Sequence, residues 1–164
     1  MPLIDELRSI VDSYYTAVDH STYEDAGQLQ VRPTYVRAIM DLFAEGAAYH
    51  RLTQDFPENL YAGKAAIEGF FLHNRHLVGQ HRVHEYHAEK IGDYYSVTTH
   101  GFFDGKAYYA QSSRGDHVRL AFSDTWQFNA EGKIAERWST IAPLPLSASL
   151  AQESHALDSA WIRY

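Results

Sequence analysis

Apolar residues at Ile4, Leu7, Val11, Tyr14 and Val18 recur at intervals of three and four, one stripe of an amphipathic helix. Pro2 precedes the stripe, where a missing N–H costs little, and Asp5 and Glu6 suit the positive end of the helix. The pattern predicts an end near Asp19-His20-Ser21, followed by a polar stretch over 21–33. Thr34 is placed to cap a second helix over 35–43, with Val36, Ile39, Met40 and Phe43 on one side. Residues 47–52 read as a short strand and 53–59 as a loop broken by Pro57. Gly63-Lys64 opens a third helix over 65–72, with Ile67, Phe70 and Phe71 apolar.

From His76 the pattern changes to segments rich in Val, Thr, Tyr, Phe and Trp, over 76–90, 94–103, 117–128 and 133–141. Gly92-Asp93, Asp104-Gly105, Arg114-Gly115 and Glu131-Gly132 supply turns. Asp104-Gly105 either closes a tight hairpin onto 107–111 or begins a long loop to His117. Helices followed by consecutive strands predict an α+β fold, with three helices covering one face of a curved, mostly antiparallel sheet and a hollow between them. One domain over 1–145 is expected, with a tail over 146–164 whose residues 149–160 form a further helix, as lid or interface.

Composition narrows the chemistry. The 164 residues carry a formal charge of −7, and scattered arginines on an acidic chain argue against a nucleic-acid footprint. No run is long and apolar enough to span a membrane, and the acidic start lacks a signal peptide's lysines, so a cytoplasmic location is expected. Zero cysteines exclude disulfides and thiol catalysis from this sequence. Ten histidines invite a metal, but there is no His-x-His pair and no His-Glu-x-x-His. His81, His84 and His87 are spaced for a helix, not for the strand they occupy, so no metal is expected. Phosphate-binding glycine loops and a G-x-S-x-G elbow are also missing. Twelve tyrosines among many aromatic residues suit an aromatic-walled pocket with titratable groups.

The segment from Phe122 to Trp138, FSDTWQFNAEGKIAERW, resembles the closing hairpin of the SnoaL-like branch of the nuclear transport factor 2-like superfamily. LFAEGAAYH over 42–50 and YAGKAAIEGFF over 61–71 are similar to its strand-and-helix segment. The resemblance spans nearly all of 5–141, with 21–33 as extra length. It implies a cone-shaped α+β barrel, commonly dimeric, that serves isomerases, cyclases, dehydratases, epoxide hydrolases and proteins without catalysis. A narrower resemblance, to scytalone dehydratase and bile-acid dehydratase, rests on Tyr14-Tyr-Thr-Ala-Val-Asp19 and on Asn74-Arg-His76-Leu-Val-Gly-Gln-His81. Carried over residue by residue, with His100 as a second histidine, it implies Tyr14, Asp19, His76 and His100 as the catalytic set. Arg51 stands where ketosteroid isomerases carry a general-base aspartate, which counts against that reaction. Asp124 matches an aspartate of SnoaL-type cyclases if the strand register holds.

The chemistry of such a set is general acid–base catalysis. Loss of water needs a base for a proton and an acid for the departing hydroxyl, and histidine serves for either when a carboxylate fixes its tautomer. Helical spacing puts Tyr15 and Asp19 on one face, while Tyr14 lies on the apolar stripe. Strand parity separates His76 and His84 from His81 and His87. If the turn at Gly92 pairs Ile91 with Asp93, His84 lies opposite His100, and that face collects His76, His84, His100 and Tyr86. If Phe128 pairs with Lys133, Asp124 faces Arg137, and a cross-strand ion pair accounts for Asp124 without catalysis. Tyr49, His84, Tyr15, Ser123 and Asp124 are the further ligand-binding candidates. The leading expectation is a cofactor-free lyase or isomerase acting on a hydrophobic, oxygenated small molecule, as a homodimer through the sheet. The alternative is a non-catalytic ligand-binding or dimerisation domain of the same fold.

Overall fold

The apolar stripe of the N-terminal segment becomes helix α1 (Ile4–Ser21), which buries Leu7, Val11, Tyr14 and Val18. A computed structural model describes residues 4–53, 59–108 and 114–145. The tail over 146–164 lies outside the described residues, and so does the helix expected within it. The polar stretch 21–33 is a hairpin, β1 (Thr22–Asp25) with β2 (Gln28–Val31), turned by Ala26 and Gly27 at positive φ. Helix α2 (Pro33–Met40) starts one residue before the expected cap. Pro33 occupies its first turn and Arg32 the cap position, so Thr34 is not the cap.

Strand β3 (Phe43–Thr53) is longer than expected and leads to β4 (Asn59–Ala62) and helix α3 (Lys64–Gly69). The helix then widens into a π-helical turn, Phe70–Asn74, that buries Phe70 and Phe71. Four long strands follow: β5 (Leu77–Ile91), β6 (Tyr94–Ala107), β7 (Asp116–Phe128) and β8 (Ile134–Pro143). Asp104-Gly105 is neither hairpin nor loop start, because β6 runs through it to Ala107. The six-stranded sheet has the order β4-β3-β8-β7-β6-β5, with β3 and β8 parallel and the other pairs antiparallel. This is the expected α+β cone: three helices close the concave face of a curved sheet.

Bulges and glycines bend the sheet. Register shifts fall in β5 between Val83 and Glu85, and in β7–β8 beside Phe128. Gly79 and Gly105 sit directly opposite each other, and a Cβ on Gly79 would overlap the Asp104 carbonyl. Alternation then fixes the faces. Tyr95, Val97, Thr99 and Phe103 of β6, and Phe122, Asp124, Trp126 and Phe128 of β7, are buried with α1 in the main core or its polar centre. The opposite face carries a small second cluster of Phe102, Ala121 and Ala142. Among the described residues, no helix is long and apolar enough to cross a membrane.

Candidate active site

Two residues one turn apart near the end of α1, Tyr15 and Asp19, grip the same imidazole from β5. It belongs to His81, not His76. The Nδ1–H of His81 donates to Asp19 Oδ1 at 2.5 Å, and the His81 backbone N–H donates to Oδ2 at 2.9 Å. These two bonds also offset the repulsion of about 0.3–1 kcal/mol that a helix C-terminus exerts on a carboxylate. The ring of Tyr15 lies against the imidazole at 4.8 Å, with Phe103 at 5.0 Å and Phe122 at 5.3 Å. This aromatic box desolvates His81, and burial lowers its pKa against the opposing hydrogen bond and charge of Asp19. The neutral imidazole with its proton on Nδ1 leaves Nε2 as an acceptor, on a residue that lines the internal cavity.

A second polar group crosses the cone from β6, β7 and β8. The Arg137 Nη2 donates to Asp124 Oδ2 at 3.0 Å, and the same oxygen accepts the Tyr15 hydroxyl at 2.5 Å. Because Tyr15 spends its proton there, the Thr99 hydroxyl, 2.8 Å away, donates to Tyr15. Thr99 in turn accepts the indole N–H of Trp126 at 3.3 Å. Arg137 Nη1 donates to the Tyr14 hydroxyl, and the guanidinium lies within 4.6 Å of the ring centres of Tyr14, Tyr49 and Trp126. Burial raises the Tyr14 and Tyr15 pKa values well above the usual one, so both remain protonated. In this network the Tyr15 and Thr99 hydroxyl protons are directed, whereas that of Tyr14, a residue that lines the cavity, can be donated to a ligand oxygen there.

The cavity is lined by Tyr14, Tyr49, Arg51, Arg75, His81 and Asp124, among other residues. Its volume is about 30 Å³, and tyrosine and phenylalanine rings fill most of the cone. Tyr14, Tyr49 and Asp124 are thus brought together, with Tyr15 and Asp19 directly behind them.

His76, His84, His100 and Ser123 are not. His76 precedes β5, and its Nε2 lies 2.9 Å from the His73 carbonyl, in a half-buried position outside the residues that line the cavity. The hairpin at Gly92-Asp93 pairs Ile91 with Tyr94, one residue away from the expected register. Glu85 therefore pairs with His100, His84 becomes the bulge residue, and Tyr86 turns to the core side opposite Thr99. His84 packs on Phe102, on the face away from the cavity. His100 and Ser123 pair with each other on that same face. The expected Asp124–Arg137 ion pair does form, although Arg137 sits opposite Trp126 and Ser139 opposite Asp124. That register differs from the expected one by two residues, which leaves the face unchanged.

Residues that sequence reasoning passed over are His81, Arg75 and Thr99. The available signal was phase: Leu77, Gly79 and His81 alternate along one face, and an apolar Leu77 marks that face as the inner one.

No protein-family model matches the sequence, and no curated protein matches it. Solved structures do match. SalBIII, an epoxide hydrolase/cyclase-like enzyme in pyran ring formation in polyether salinomycin, is 18% identical with a TM-score of 0.59, over 90% of this chain and 94% of that one. A nuclear transport factor 2-like protein with a cystatin-like fold from Novosphingobium aromaticivorans is 16% identical with a TM-score of 0.52, over 92% and 86%. A protein of Shewanella denitrificans, provisionally named a SnoaL-like polyketide cyclase, is 12% identical with a TM-score of 0.58, over 94% and 98%. The chain shares the fold of these structures, a cystatin-like α+β cone.

Proposed function

We propose that the protein is a cofactor-free lyase or isomerase of the dehydratase or cyclase kind, acting on a hydrophobic, oxygenated small molecule. The observation that carries this reading is the Asp19–His81 pair: a neutral imidazole, oriented by a carboxylate and walled by aromatic rings, beside the cavity. His81 Nε2 removes a proton from the carbon next to a carbonyl. The electron pair moves onto the carbonyl oxygen, where the Tyr14 hydroxyl donates a hydrogen bond. The imidazolium then returns its proton, to a departing β-hydroxyl in an elimination or to another carbon in an isomerisation. Tyr15, Thr99 and Trp126 hold Asp124 and Arg137 in place, and Arg137 orients Tyr14. Neighbours named as cyclase or hydrolase support this general kind of activity.

The experiment is hydrogen–deuterium exchange at carbon acids. A panel of apolar β-hydroxy ketones in deuterated buffer, read by mass spectrometry, reports proton abstraction without knowledge of the product. Exchange that falls about 10²- to 10⁴-fold in His81→Gln, with the fold intact, is the expected result. Unchanged exchange in that variant contradicts the assignment.

The second reading, a non-catalytic ligand-binding or dimerisation domain, is favoured by one observation, the narrow cavity of about 30 Å³. Absence of exchange across the panel, with a ligand still bound, supports it.

A further inference from the structure

The cavity has more positive charge than its acids can neutralise. Arg51, Arg75 and Arg137 line it against Asp124 alone, and Asp124 is already paired with Arg137. Asp19, behind His81, hydrogen-bonds that residue with both oxygens and reaches Arg75 only through its charge.

Arg75 is the more telling of the remaining two. It is the residue that ends the π-helical turn, where its N–H donates to the Phe70 carbonyl at 2.9 Å. That turn directs the side chain inward, and the residue is only 7% exposed. Nη1 donates to the Leu77 carbonyl at 3.2 Å and reaches Thr22 Oγ1 at 3.5 Å. Nε and Nη2 make no hydrogen bond among the described residues, and no carboxylate pairs with the guanidinium. Burial lowers its pKa to about 10, so it is still a cation at neutral pH. Arg51 enters from β3 with its guanidinium over Phe70 at 5.3 Å, and its charge opposes that of Arg75. It has no ion pair among the described residues. Asp19 raises the pKa of Arg75 through its charge, yet Arg51, Arg75 and Arg137 outnumber Asp19 and Asp124, and charges drawn out of water are normally paired.

We propose that this cavity binds the carboxylate of an apolar, aromatic or polycyclic acid, with Arg75 and Arg51 as its clamps. A planar carboxylate matches the unspent donors of a guanidinium. The rings of Tyr49, Phe70 and Phe71, stacked or edge-on to one another beside the arginines, offer the apolar body its contacts. This inference rests on the cavity of the proposed reaction and names its substrate class, but not on His81 acting as a base.

The test is calorimetric titration of the full chain at neutral pH with naphthoate and with naphthamide, its uncharged counterpart. Naphthoate should bind at least about tenfold more tightly than the amide, and Arg75→Met should weaken it about ten- to a hundredfold. Arg51→Met, a change at a less buried position, should weaken it in the same direction and covers the case in which Arg75→Met does not fold. Equal binding of acid and amide, no binding of either, or undiminished binding in the arginine variants overturns the proposal. Naphthoate binding as expected in a protein that exchanges no carbon-bound proton overturns the lyase reading and leaves this one standing.

Discussion

Asp19 holds His81 twice, by the ring and by the backbone, across 62 residues of sequence. The carboxylate thereby fixes both where β5 meets α1 and which ring nitrogen is left for chemistry. Burial, the larger influence, keeps the imidazole neutral, and Asp19 keeps it oriented.

Stability should depend on pH through this residue. The folded pKa of His81 is lowered, so the unfolded chain binds the proton more readily. The contribution is fully present above about pH 6.5. It is lost as pH falls from there through the folded value. Urea unfolding measured from pH 8 down to 5 should show this decline in the parent and a smaller one in His81→Gln. A steeper decline in the variant would contradict it.

His76→Ala should leave proton exchange unchanged, because the half-buried side chain is not among those that line the cavity, and should change stability by no more than about 1 kcal/mol. Parallel exchange and urea measurements on this variant and on His81→Gln check the reassignment. A loss of exchange in His76→Ala would restore the sequence-based choice.

Much of the fold was legible because periodicity reports burial directly. The stripe from Ile4 to Val18 and the long strands emerge close to where the pattern puts them. The site was harder because a histidine's role depends on strand parity, and parity is reversed by single-residue events. The turn at Gly92-Asp93 shifts β5 against β6 by one residue, and the bulge at His84 shifts it back. Residues 77–83 therefore keep the expected register while 85–91 do not. The Asp124–Arg137 pair survived its register error because a slip of two preserves the face. The hairpin in 21–33 escaped notice because its strands are only four residues each and mostly polar.

Breaking the central ion pair should be costly. Asp124 and Arg137 are 1% and 4% exposed at the side chain. Arg137→Met leaves Asp124 charged and buried, for a loss of about 3–5 kcal/mol in urea unfolding. The double variant Asp124→Leu/Arg137→Met should recover part of that loss, since no unpaired charge remains. Strict additivity of the two single changes would show that the residues do not act as a pair.

Gly79→Ala should destabilise by about 1–3 kcal/mol or more, because the added methyl meets the Asp104 carbonyl rather than a yielding side chain. Urea unfolding is again the measurement. A neutral effect would mean that the sheet does not bend at the Gly79–Gly105 pair.

The central claim concerns one proton, and nitrogen-15 NMR of the histidine rings locates it without any substrate. In the parent protein near neutral pH, His81 should carry its proton on Nδ1, with Nε2 bare, and should titrate below about 6.5. In Asp19→Asn the loss of the carboxylate's charge should move that titration lower still. A proton on Nε2, or a titration at or above the ordinary histidine value, would contradict the account.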